Sequence, residues 1–213
     1  MSQRSNARIK QIKREVAAEA ARIMATEGQR NYLAAKQKAA DRLGVTSALA
    51  LPSNVAVEQA LKAYLDLYGG EQRSDHIKLL RQEAVKAMRF FDQFSPRLVG
   101  PVLEGTADRH SRISLHTFSD TPDEVILFFM ENGIEFRQEQ RRIRWHDGSF
   151  RSIGLLVTEV NDITVELGLF EHLDQRQAPP CPVDGKPQKR AGLNQVLALL
   201  DTPVQSNHPL NGS

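Results

Sequence analysis

Residues 98 to 118 read LVGPVLEGTADRHSRISLHTF, two apolar runs separated by a small-residue turn and a polar loop. The pattern predicts strand, turn, loop, strand. The first run ends at Gly105-Thr106, where glycine's freedom in φ lets the backbone turn sharply and come close to a ligand or a packed helix. The second run alternates: Ile113, Leu115 and Thr117 fall on one side, and Arg112, Ser114 and His116 on the other. One face of this strand is therefore expected in the core, and the other is expected to be polar.

Upstream, apolar residues recur at three- and four-residue spacing. Ile9, Ile12, Val16, Ala20, Ile23 and Met24 predict an amphipathic helix over about 6–27 that closes at Gly28. Tyr32, Ala35, Ala39 and Leu43 predict a second over 31–43, with Lys36, Lys38 and Arg42 on its sides. Leu51-Pro52-Ser53-Asn54 forms a turn and cap ahead of a third, over 55–68. Gly69 to Ser74 reads as a linker, which sets the boundary of a helical N-terminal domain at 1–70. A fourth helix is expected over 75–91.

Downstream, Thr121-Pro122-Asp123-Glu124 has the form of a capping box with proline at the first helical position, and its helix runs to about Asn132 before Gly133. Residues 134–145 and 149–160 alternate around His146-Asp147-Gly148, a hairpin signal, and 163–170 is a last strand. After Glu171 the chain is proline-rich. A final helix is expected at 193–200, and a disordered tail at 203–213. The expected class is α+β: a helical bundle, then a mixed sheet with helices on one face, in a second domain spanning 71–202.

The 213 residues are 40% hydrophobic and 25% charged, the balance of a globular protein able to bury a core. The single cysteine, Cys181, excludes an internal disulfide and reads as a free surface thiol between prolines. No apolar run reaches the roughly 20 residues of a membrane span, and the basic N-terminus lacks the apolar region of a secretory signal. A cytoplasmic location with no membrane partner is expected. The first fifty residues carry ten Lys or Arg against four Asp or Glu, a basic segment that would meet nucleic acid or another acidic partner, or simply form a solvated helical face. A helix-turn-helix and a scaffold bundle that packs on the core or on a second copy of the chain both fit the three helices.

The pattern of an apolar strand, Gly105-Thr106, a polar loop and then Ser111-Arg112-Ile113-Ser114-Leu115 resembles the signature of the nucleotidyltransferase superfamily that includes polymerase-beta-like enzymes. The resemblance covers about residues 94–170. The whole chain is also similar to a bacterial family that carries such a core, with a degenerate motif, behind a helical N-terminal segment. In the superfamily, a strand bearing Asp-x-Asp and an acidic residue on a later strand hold Mg²⁺ and a nucleoside triphosphate. Here Arg112 and Ser114 stand at the first two positions, and Glu166 in Ile163-Thr164-Val165-Glu166-Leu167 matches the third. A guanidinium supplies no oxygen to a hard cation. The resemblance thus implies a nucleotidyltransferase-like fold that holds a nucleotide or phosphate-rich ligand, with metal-dependent transfer altered or lost. If the protein is an enzyme, it implies a nucleotidyltransferase with Mg²⁺ as its cofactor.

Strands placed as the resemblance implies would project Ser114, His116 and Glu166 from one face as the catalytic set. Gly105, Thr106, Asp108, Arg109, His110 and Arg112 would then line the ligand. Asp108, His110, His116 and Glu166, if they met, would suit a transition metal. Arg137, Arg141, Arg142 and Arg144 on the hairpin would either hold phosphate or guard a sheet edge. Lys189-Arg190 lies in a turn-rich segment that reads as a surface loop or as a strap across the sheet edge carrying ligand contacts. The alternative function is a nucleic-acid-binding or regulatory module that uses the basic N-terminal helices.

Overall fold

The computed structural model describes residues 3–201, and the expected tail at 203–213 lies outside them. The chain divides into two compact units: Met1–Gly70 with Cys181–Lys186, and Glu71–Pro180 with Pro187–Ser213.

The first unit is built from α1 (Gln3–Glu27), α2 (Tyr32–Arg42) and α3 (Asn54–Tyr68). Each end has a local cause. Gly28, at φ 67°, follows α1 in the left-handed region that favours glycine. The side chains of Asn31 and Ser53 accept from the backbone N–H of Ala34 and Ala56 and cap α2 and α3. Val16, Ala20, Ile23, Ala35, Ala39, Val57, Leu61 and Leu65 form one buried cluster, in which the alanines let the helices approach closely. Ion pairs bind α2 to α1: Lys38 to Glu27 at 2.5 Å, and Arg42 to Glu27 at 2.8 Å and to Glu19 at 3.1 Å. Lys36 donates to the Asn54 side chain at 2.8 Å and to the Pro52 carbonyl at 3.2 Å. Asn54 in turn donates to the carbonyl of Pro182 at 2.7 Å, within the Cys181–Lys186 segment. All three basic side chains of α2 therefore have structural partners, and Asn31 serves as a cap.

The second unit begins with α4 (Gly70–Phe90). No linker separates it from α3. Residues 70–74 are helical, because the polar run Glu71-Gln72-Arg73 has good helix propensity and only its first residue, Gly70, takes a positive φ, 56°. Next come β1 (Arg97–Val99), α5 (Gly100–Glu104), β2 (Ile113–Ser119), α6 (Pro122–Glu131), β3 (Arg137–Arg144), β4 (Phe150–Val160), β5 (Ile163–Glu171) and α7 (Leu193–Asp201). The expected first strand is thus only three residues long, and the rest of its apolar run is a helical turn. Gly100 at φ 71° breaks the strand, Pro101 sits in the first turn of α5, and Gly105 at φ 74° ends it.

The five strands lie in the order β1-β2-β5-β4-β3. β2 and β5 are parallel and central, and the other pairs are antiparallel. One face carries Ile113, Leu115, Leu156, Val165 and Leu167 and packs against Leu80, Ala84 and Met88 of α4, Val125 and Phe129 of α6, and Val196 of α7. The capping box of α6 is formed: Thr121 N–H donates to Glu124 at 3.2 Å. The opposite face is not simply polar, because Phe118, Ile153 and Phe170 form a second, smaller buried cluster there.

Candidate functional site

The register of the parallel pair sets Ser114 of β2 beside Glu166 of β5, with His116 two residues further along the same face. Glu166 is 3% exposed, and a carboxylate so buried requires charged partners. Its Oε2 accepts from Arg141 Nη2 at 2.8 Å and from Arg112 Nη1 at 3.3 Å. Arg141 reaches it from β3, across the intervening β4. The same Arg112 nitrogen lies 3.3 Å from Glu139 Oε2. The arrangement is layered: a buried carboxylate forms the floor, and two guanidinium groups lie over it with 32% and 53% of their side chains exposed.

His116 has a different role from the one expected. Its Nδ1 accepts from Arg190 Nε at 2.9 Å, and its ring lies 4.3 Å from that of Phe170. Burial, together with the nearby Arg190 and Arg141 cations, pushes its pKa down to about 3. The imidazole is therefore neutral, and the nitrogen a general base would use is occupied. Arg190 also donates to the Asp174 carbonyl at 2.6 Å and lies over the rings of Phe118 and Phe170, 5.0 and 5.3 Å from their centroids. Its own pKa is pulled down to about 10 by burial. Next along the chain, Ala191 exchanges two backbone hydrogen bonds with Leu98 and covers the β1 edge. Arg190 was not among the expected site residues. The one signal for it was the Lys189-Arg190 pair in the proline-rich segment, which here lies along the β1 edge at Ala191 and lays the Arg190 side chain over the rings of the second face.

The loop after α5 is self-contained. Asp108 accepts from the backbone of His110 at 2.9 Å and from Ser111 Oγ at 2.8 Å, an Asx-type turn. Its carbonyl contacts His76 Nε2 at 3.1 Å, and the Gly105 carbonyl accepts from Arg73. Thr106 donates its N–H back to Pro101. Arg109 and His110 are exposed and bonded to each other. Thus Arg112 joins Glu166, while Asp108, Arg109 and His110 form their own turn. Asp108, His110, His116 and Glu166 do not gather as a metal set would require: Asp108 is bonded within its loop and His116 to Arg190. Among the described residues no group of three or more His, Cys, Asp or Glu is placed to hold a metal.

The donors around Glu166 do not fit Mg²⁺ either. That ion needs several oxygen ligands at short range, whereas two guanidinium groups occupy the carboxylate here, so no chemical step is assigned to a divalent ion. Of the hairpin arginines, Arg141 serves Glu166 and Arg142 lies over Phe150 with its guanidinium 4.0 Å from the ring centroid. Arg137 and Arg144 are exposed. A separate groove of about 370 Å³, lined in part by Phe94, Phe118, Leu127, Phe128 and His172, lies against α6 and does not include the Glu166 cluster.

The chain matches no family model, no curated protein and no solved structure in comparisons with each.

Proposed function

We propose that the protein binds a nucleotide or similar phosphate-bearing ligand at Arg112 and Arg141, and that it does so without metal-dependent nucleotidyl transfer. The supporting observation is that one buried carboxylate, Glu166, holds two partly exposed guanidinium groups side by side. A guanidinium has five N–H donors in a planar fork, and each of these uses only part of that capacity on Glu166. The remaining edges suit phosphate oxygens, which they pair with bidentately. Glu139, part-exposed and 3.3 Å from Arg112, is the partner that an incoming anion would displace. Glu166 acts as a positioning residue that fixes both arginines before the ligand arrives. A nucleotide ligand accords with a cytoplasmic location.

Titration calorimetry of the whole protein with ATP and GTP, with and without Mg²⁺, tests this. Binding that survives chelation of divalent ions is expected, and the double substitution Arg112→Ala with Arg141→Ala should weaken it at least tenfold. Nucleotide label transferred to any acceptor in the presence of Mg²⁺ or Mn²⁺, and lost in Glu166→Ala, would overturn the proposal. So would the absence of binding at millimolar nucleotide.

A further inference from the structure

From residue 3 to residue 14 the chain carries Arg4, Arg8, Lys10, Lys13 and Arg14 with no acidic residue; the first is Glu15. All of these lie in α1. Arg8, Lys10 and Arg14 are exposed and Lys13 is half-exposed. None of the four holds an ion pair or a side-chain hydrogen bond among the described residues. The contrast with α2 is informative, since its Lys36, Lys38 and Arg42 are all tied to neighbouring groups. The N-terminal half of α1 thus treats its cations in the opposite way to α2 and to its own later Arg22, which pairs with Glu19 at 2.8 Å. Like charge concentrated in two turns, distributed round the side of α1 away from its core stripe, costs self-repulsion and gains nothing inside the fold.

We infer that Arg8, Lys10, Lys13 and Arg14 on α1 form a contact surface for the phosphate backbone of nucleic acid. They span about 9 Å of helix axis, the length of two to three steps along one strand at about 3.4 Å each. A membrane surface is the poorer fit. A helix that lies on lipid must lend it an apolar face, and Ile12, Val16, Ala20 and Ile23 are committed to the bundle's own core. The four side chains offer charge, so the contact is with phosphate and is independent of sequence. This inference rests on α1 alone and is separate from the reading of Arg112 and Arg141.

The test is fluorescence anisotropy of the whole protein with a labelled single-stranded RNA and a labelled DNA duplex across about 50 to 200 mM salt. Four phosphate contacts predict a slope of log K against log salt near −3.6 for the duplex and near −2.8 for the single strand. Replacing all four residues by Gln, which preserves helix propensity, should lower affinity at least tenfold and flatten the slope. Arg8→Lys with Arg14→Lys should retain binding, because the phosphate sees charge and not a fork. Arg112→Ala with Arg141→Ala should leave the slope unchanged, which separates this surface from the nucleotide site. Equal binding by the Gln variant would overturn the inference, as would a salt-independent affinity. So would tighter binding to anionic vesicles or to a poly-glutamate peptide than to either nucleic acid.

Discussion

Glu166 and His116 sit two register positions apart on one face of one sheet, and the side chain that reaches each decides what it does. Glu166 is met by Arg112 and Arg141, which pair with its buried carboxylate. Replacing it by Gln leaves two cations facing each other without their anion. The expected loss is about 2 kcal/mol, between the values for exposed and fully buried pairs because Arg141 is half in solvent, and urea unfolding of Glu166→Gln measures it. His116 is met by Arg190 and is held neutral, with its pKa depressed to about 3. The unfolded chain would bind a proton at about 6.5, so between those values the unfolded state carries more protons than the folded one. Stability contributed by His116 is therefore complete above about pH 6.5 and lost as pH falls toward 3, with a slope of at most about 1.4 kcal/mol per pH unit. Melting curves from pH 7 to 4 check the sign. His116→Asn, whose side-chain oxygen can still accept from Arg190, should flatten the dependence in that window.

At the scale of elements, the most local signals survived folding best. Thr121-Pro122-Asp123-Glu124 specifies a capping box through groups three residues apart, and that box is present. Thr121→Ala should cost about 1 kcal/mol, readable as a shift in the thermal midpoint. The hairpin of β3 and β4 was equally legible, because side-chain period and turn chemistry act over a few residues; the alternation of β2 gave which residues share a face, but not that His116 and Phe118 on the second face are buried. The first strand was misread because an apolar run that ends in glycine suits a strand or a short helix equally. Pro101 at a helix start, together with Gly100 and Gly105 at positive φ, settled the choice. The linker was misread for the complementary reason: Gly69-Gly70 does break the chain, but only for one residue before α4. Gly168 shows an element constrained from outside itself. A Cβ there would lie 3.0 Å from the Phe170 ring and 3.5 Å from His116, so Gly168→Ala should destabilise the unit by about 1–3 kcal/mol through overpacking. Denaturant titration measures that loss.

At the scale of the whole molecule, charge is distributed by use. In the helical unit Glu19 is held down to a pKa of about 2 by its hydrogen bonds from Arg22, with Arg42 adding to the effect against the opposing cost of burial. Its contribution is present above about pH 4.5, the ordinary glutamate value, and fades as pH falls toward 2. Glu19→Gln should therefore reduce the acid sensitivity of the melting transition only below pH 4.5, whereas the His116 substitution already acts from pH 6.5 downward. The two substitutions separate the acid responses of the two units within one protein. The sequence by itself determined the α+β class, the helical stripes, the caps, the hairpin and the basic character of the first helix, because each depends on residues within a turn or two of one another. Tertiary structure alone decided that Arg112 meets Glu166 from 54 residues away and that Arg190 meets His116 from 74 residues away. It also decided that Asp108 is spent on its own loop, and that the cations of α2 are paired while Arg8, Lys10, Lys13 and Arg14 of α1 hold no ion pair among the described residues. The physical reason is common to all of these. A charged side chain has no periodicity of its own, and its role is fixed by whichever opposite charge, ring or carbonyl the backbone brings within about 3 Å of it.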